Sequence, residues 1–174
     1  MQELAGVQLS FAALLVVAGV VKVADPLPLV RALRSLGLPG GRRVVRMAAG
    51  AEVAIGVWVA ATGSPAAATA LALSYVVFTG VVVLGLRRGG VLSSCGCFGR
   101  ADTPPTRMHA VLTAGGAAVG TVGAVRPVGD LLSLLRAQPG HGGPLLVTVA
   151  ALASATYLAM AVLPLLGGHR RGVA

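Results

Sequence analysis

The chain has 174 residues, 56% hydrophobic and 11% charged, with a mean hydropathy of +0.87. Charged residues make up about a quarter of an ordinary soluble domain, so the composition excludes one. The formal charge of +9 would suggest nucleic acid in a soluble protein. Here the basic residues lie between apolar runs and only 3% of residues are aromatic, so lipid headgroups and not nucleic acid are the expected partner.

A membrane helix needs roughly 20 apolar residues. The chain holds five such runs, at about 4–24, 44–62, 66–86, 108–125 and 144–166. The expectation is an all-α fold: a polytopic membrane helical bundle of five transmembrane helices, with 1–174 as a single integral membrane domain. In the first run Glu3 is the only charge before Lys22, and the residues before Asp25 lack a convincing small-x-small cleavage site. It reads as a retained helix and not a signal peptide. Pro26 disfavours helical geometry at Asp25 and stops it there.

Between Asp25 and Arg43, Leu29, Val30, Leu33 and Leu36 fall at helical spacing, with Arg31 and Arg34 on other faces. That pattern predicts a short amphipathic helix lying on the membrane. The second run carries Glu52 near its middle and Trp58, an interface anchor, near its far end. Gly63-Ser64-Pro65 then makes a tight turn into the third run, which ends at Arg87-Arg88-Gly89-Gly90. A loop with both cysteines follows, closed by Pro104-Pro105. The fourth run contains Gly116 and Gly120, a GxxxG pair that lets two helix backbones approach. Leu131, Leu132, Leu134 and Leu135 suggest a second interfacial turn before the fifth run.

With five spans, all of the fourteen basic residues except Arg126 and Arg136 fall on one side. The positive-inside rule then predicts a multi-pass protein of the plasma membrane, N-terminus outside and C-terminus cytoplasmic. The same rule puts the cysteine loop at the cytoplasmic end of the third and fourth helices.

Cys95 and Cys97 are the only cysteines, too few for a disulfide scaffold. Only a thiolate attacks a disulfide or binds metal. Arg87, Arg88, Arg100 and Arg107 nearby favour the thiolate. Gly96 tolerates the unusual backbone angles of a Cys-x-Cys disulfide, a strained and therefore oxidising bond. The spacing also fits half of a soft-metal site, since thiolates select copper(I), zinc or mercury, or two inert small residues.

Glu52 is an acid inside a membrane helix, expensive and functional by default. It serves as a proton shuttle for a thiol–disulfide step, as hydrogen-bonding glue, or as the partner of a basic residue. Arg46, six residues away, is a poor intrahelical partner. Lys22 and Asp25, at i and i+3, form a local ion pair, meet Glu52 across the bundle, or are a snorkelling lysine and a helix stop. His109 begins the fourth helix as a proton acceptor, a third metal ligand or a polar anchor. No quinone, haem or flavin motif is evident, although a quinone needs no motif to dock between apolar helices.

Lys22, Asp25-Pro26, Glu52 and Cys95-Gly96-Cys97-Phe98-Gly99, in that order, resemble the methylamine-utilisation MauE family, a redox-associated branch of the DoxX-like membrane proteins. The resemblance covers the first helix to the fourth, a four-helix core to which the fifth is added. The family pattern leads one to expect a basic residue and then Asn entering the fourth helix; here Arg107-Met108-His109 stands there. The resemblance implies a maturation factor for methylamine dehydrogenase, whose small subunit is rich in disulfides, with a thioredoxin-like redox protein as companion. In this reading Cys95, Cys97 and Glu52 carry a thiol–disulfide relay, supported by Lys22, Asp25 and His109. The alternatives are a soft-metal binder or transporter, and a non-catalytic membrane scaffold. Maturing an exported protein needs oxidising equivalents outside, whereas the charge bias puts the cysteines inside. Either electrons cross the bundle, or the pair is recessed and reached from both sides, or the topology is inverted.

Overall fold

The computed structural model describes residues 2–88, 106–138 and 142–161. Cys95 and Cys97 lie outside these residues. The described chain forms seven helices: α1 (Gln2–Ala24), α2 (Leu27–Ser35), α3 (Arg42–Thr62), α4 (Pro65–Arg87), α5 (Arg107–Val125), α6 (Leu131–Ala137) and α7 (Gly143–Ala161). Five of them are long and apolar enough to cross a membrane, over Leu4–Ala24, Arg42–Thr62, Pro65–Arg87, Arg107–Val125 and Gly143–Met160. At 1.5 Å per residue each reaches about the 30 Å of a hydrocarbon core. The protein is a multi-pass helical membrane bundle, and the last expected span, 144–166, is described as far as Ala161.

Local chemistry sets the breaks. The Asp25 carboxylate accepts the Leu27 N–H at 3.1 Å, and Pro26 opens α2. α2 is the amphipathic helix expected between the prolines: Pro28, Val30 and Ala32 are buried, while Arg31 and Arg34 are exposed. Ala32 and Leu36 pack on Val81 and Leu84 of α4, and the Arg88 guanidinium donates to the Leu36 carbonyl. α3 ends on Gly63 at φ 54°, a left-handed cap that glycine adopts most easily. Ser64 then accepts the Ala67 N–H at 3.3 Å, and Pro65 starts α4. The second interfacial helix is α6, whose first turn is held by the Asp130 carboxylate accepting the Ser133 N–H at 2.9 Å.

The bundle is built from two closely crossed pairs, α1 with α3 and α4 with α5. Small residues permit this. A Cβ on Gly56 would come within 2.7 Å of the Ala12 carbonyl, and one on Gly120 within 2.6 Å of the Ala72 nitrogen. The GxxxG pair on α5 therefore meets α4, with Gly116 against Tyr75. α7 lies along α1, Leu145 beside Gly6 and Ser10 Oγ 3.4 Å from the Val149 carbonyl. Large apolar side chains such as Met47, Val77, Val111 and Val147 face outward, as they must where the solvent is lipid. The close of α1, the start of α3, the close of α4 and the start of α5 share one end of the bundle, the α2 end.

Candidate functional site

Two charges meet inside the bundle near its α2 end. The Lys22 ammonium donates to Glu52 Oε2 at 2.6 Å, with side chains only 3% and 10% exposed. The helix register explains how a residue at the end of α1 reaches one in the middle of α3. Gly19 faces Ala49 and Val53, and Gly56 faces Ala12 and Val16, so Glu52 lies about one turn, about 6 Å, deeper than Lys22. Side chains lean toward their own helix N-terminus. In this antiparallel pair Lys22 therefore leans inward and Glu52 leans back toward it, and they meet between the two levels.

This decides among the sequence alternatives for Lys22. It does not snorkel to the headgroups and does not turn to Asp25; it reaches into the bundle. Asp25 is exposed and serves as a turn acceptor. The physical reason is that Glu52, buried in low dielectric, must be compensated, and a lysine one turn above has the length to do it. Arg46 is exposed on another face of α3.

A third partner was not legible in the sequence. The Lys22 ammonium sits 4.4 Å from the centroid of the Phe78 ring, where the negative face of the ring favours a cation. Phe78 stacks edge-on with Tyr75 at 5.7 Å, and Tyr75 with Phe11 at 5.4 Å. The Tyr75 hydroxyl donates to the Phe11 carbonyl at 2.8 Å. This aromatic column runs from the ion pair into the bundle and ties α4 to α1. A tyrosine and two phenylalanines among the few aromatics of the chain were the available signal, without helix facing to relate them.

His109 is buried, at 3% exposure, and is not the interfacial anchor its position suggested. Its Nδ1 accepts the Thr106 N–H at 3.3 Å and lies 2.8 Å from the Thr106 hydroxyl. Met160 of α7 lines the same cavity as the ring. With Nδ1 accepting, the assigned tautomer carries its proton on Nε2. His109 thus caps α5 and lies against α7. One turn on, the Thr113 hydroxyl donates to the His109 carbonyl at 2.8 Å and lies 3.0 Å from that of Thr79. A cavity of about 20 Å³ lies below, walled by Phe11, Leu14, Tyr75, Phe78, His109 and Met160.

Of the residues singled out from the sequence, the structure joins Lys22 and Glu52, sets His109 across the Phe78 wall from them, and leaves Asp25 outside. Among the described residues no group of three His, Cys, Asp or Glu side chains is placed to hold a metal ion. The cysteine stretch leaves the described chain after Arg88 and rejoins it before Thr106, both at the α2 end.

The family model of the methylamine utilisation protein MauE matches residues 3–126, from α1 to the close of α5. No curated protein and no solved structure matches the chain.

Proposed function

The chain belongs to the MauE family, and we propose that it is a membrane thiol–disulfide redox protein in which Cys95 and Cys97 are the exchanging pair. A thiolate of a partner attacks one sulfur of the oxidised pair. The S–S bond breaks, a mixed disulfide forms, and the other sulfur leaves as a thiolate that takes up a proton. A second partner thiol resolves the mixed disulfide. The partner loses two electrons and two protons and gains a disulfide; Cys95 and Cys97 gain the electrons and protons. A thioredoxin-like protein in its disulfide form accepts them in turn. The proposed substrate is an exported disulfide-containing protein, for which the family's name suggests methylamine dehydrogenase.

The observation that carries this reading is the buried Lys22–Glu52 pair at 2.6 Å, at the end of the bundle where the cysteine stretch departs and returns. Each exchange step takes up or releases a proton, and passage of one proton across this contact converts the ion pair to a neutral amine and acid with no change in net charge. The metal-binding alternative is weakened because His109, its third ligand, is buried and has Nδ1 engaged by Thr106. The charge bias gives a plasma-membrane protein with the N-terminus outside and the α2 end cytoplasmic; direct exchange with an exported protein requires instead the inverted topology or a pair reached from both sides, which the impermeant alkylator below distinguishes.

The test is thiol trapping in intact cells with a mass-tagging alkylator, with and without reductant, repeated after metal loading. A pair that cycles with redox poise and ignores metal supports the relay. Thiols that stay reduced and are protected only by metal sink it, as does full activity in the Cys95→Ser/Cys97→Ser variant. A membrane-impermeant alkylator reads the side.

A further inference from the structure

Lys22 is 2% exposed, so its partners inside the bundle decide its state. Among the described residues two electron-rich groups meet its ammonium: Glu52 Oε2 at 2.6 Å, and the face of the Phe78 ring, whose centroid is 4.4 Å away. They act differently on the two forms of the pair. The contact with Glu52 persists as an ion pair or as a neutral amine and acid, and a low dielectric penalises the two charges. The ring face attracts a cation through its quadrupole and has no comparable attraction for an uncharged amine. Phe78 therefore favours the charged form alone.

We propose that Phe78 is a positioning residue for the Lys22–Glu52 pair: its ring face holds Lys22 as the ammonium and so makes the ion pair, not the neutral amine and acid, the resting form. This role rests on the proton-handling reading of the pair and supplies its poise. A desolvated cation–π contact shifts an equilibrium by roughly tenfold or more. Without the ring, the neutral form gains about that factor relative to the ion pair.

The ring is held for this task by groups that carry no charge. The pair spans α1 and α3, whereas Phe78 comes from α4. Tyr75 meets Phe78 edge-on at 5.7 Å and is itself fixed by its hydroxyl, which donates to the Phe11 carbonyl at 2.8 Å. The Thr79 hydroxyl, next in the chain, donates to the Tyr75 carbonyl at 2.8 Å. The remaining titratable side chains at this end of the bundle offer the ammonium no other anion. Asp25 is exposed and accepts from the Leu27 N–H. His109 lines the cavity that Phe78 walls, which neither Lys22 nor Glu52 lines, and its Nδ1 accepts from Thr106.

The test reads the protonation of Glu52 by infrared spectroscopy of the full chain in phosphatidylglycerol nanodiscs. Isotope-labelled glutamate, differenced against the unlabelled protein, cancels the lipid ester carbonyls. Glu3 and Glu52 are the glutamates of the chain, so the protonated-carboxyl band of Glu52 is the one that Glu52→Gln removes. At neutral pH that band is expected to be minor in the parent and about threefold or more larger in Phe78→Leu, which lacks the ring face. Phe78→Tyr, which keeps the face, stays at the parent level. Mono-, di- and trifluorinated phenylalanine at position 78 keep the ring's shape and drain its negative face, so the band rises with each fluorine. This series decides the matter even where Phe78→Leu fails to fold. A band already dominant in the parent, a band flat along the fluorine series, or a rise in Phe78→Tyr equal to that in Phe78→Leu overturns the proposal. Thiol–disulfide turnover of the fluorinated proteins is the separate readout: a band that rises while turnover stays at the parent rate overturns the proton-handling reading and leaves the poise set by Phe78 in place.

Discussion

Removing one charge of the Lys22–Glu52 pair is the most informative perturbation. At 2.6 Å and an effective dielectric of about 20, the gross attraction is about 6 kcal/mol, largely offset by the cost of burying both charges. Deleting one partner does not simply forfeit the small net term, because it strands the other charge in the bundle. Lys22→Met and Glu52→Gln are each expected to cost about 3–5 kcal/mol, a melting-temperature loss of roughly 6–20 °C for a chain of this size. The Lys22→Met/Glu52→Gln double variant, with no stranded charge, should return to within about 1 kcal/mol of the parent. The assay is thermal unfolding of all four proteins in the same nanodiscs at one scan rate. A Lys22→Met shift below about 2 °C, or single losses that simply add in the double variant, would refute the argument that the two charges are buried together. The double variant also separates roles. Under the proton-handling proposal it regains stability but not thiol–disulfide turnover, whereas a pair that serves only as a clamp would be rescued in both.

Close helix crossing should make Gly56→Ala lose about 1–3 kcal/mol through overpacking against Ala12 and Val16. Gly50→Ala on the same helix, where an added Cβ meets nothing within 4 Å, should be neutral or stabilising; the same unfolding assay compares them. Gln8 is fully buried with both amide atoms unpartnered. Gln8→Met should therefore stabilise by about 1–3 kcal/mol, and a loss of similar size would show that the amide has a partner. The Asp130 carboxyl is held below its usual range, chiefly by hydrogen bonding from the Ser133 N–H. A depressed folded-state value means that the cap contributes above the ordinary carboxylate value and is lost as pH falls through the depressed one. Hydrogen exchange at Ser133 and Leu134 should accelerate over that window relative to its intrinsic rate, and Asp130→Asn should abolish the step while keeping the cap.

The spans were legible in the sequence because lipid imposes one strong rule, that an uninterrupted apolar run closes its backbone hydrogen bonds within itself. The breaks were legible for an equally local reason: Pro26, Gly63, Ser64 and Pro65 act on their immediate neighbours. The amphipathic α2 followed from the spacing of Leu29, Val30, Leu33 and Leu36, and the packing role of Gly116 and Gly120 from their interval. Ordered residues along the chain, Lys22, Asp25-Pro26, Glu52 and the Cys95–Cys97 stretch, were enough to point to the family that the match over residues 3–126 shows.

The sequence left open which polar residues face one another. In a helix that crosses the membrane, apolar residues cover every side, so hydropathy says little about facing. Facing is set by crossing angles and register, which depend on several helices at once. Tertiary structure therefore decided that Lys22 turns inward to Glu52 while Asp25, three residues on, stays outside. It placed Phe78 under the ammonium and buried His109 against α7. It also left Gln8 enclosed against Gly123, a position that reads on paper as an ordinary polar residue near a helix end. Each of these depends on groups distant in sequence coming within a few ångströms, where burial raises the cost of an unpaired charge and so dictates the partner.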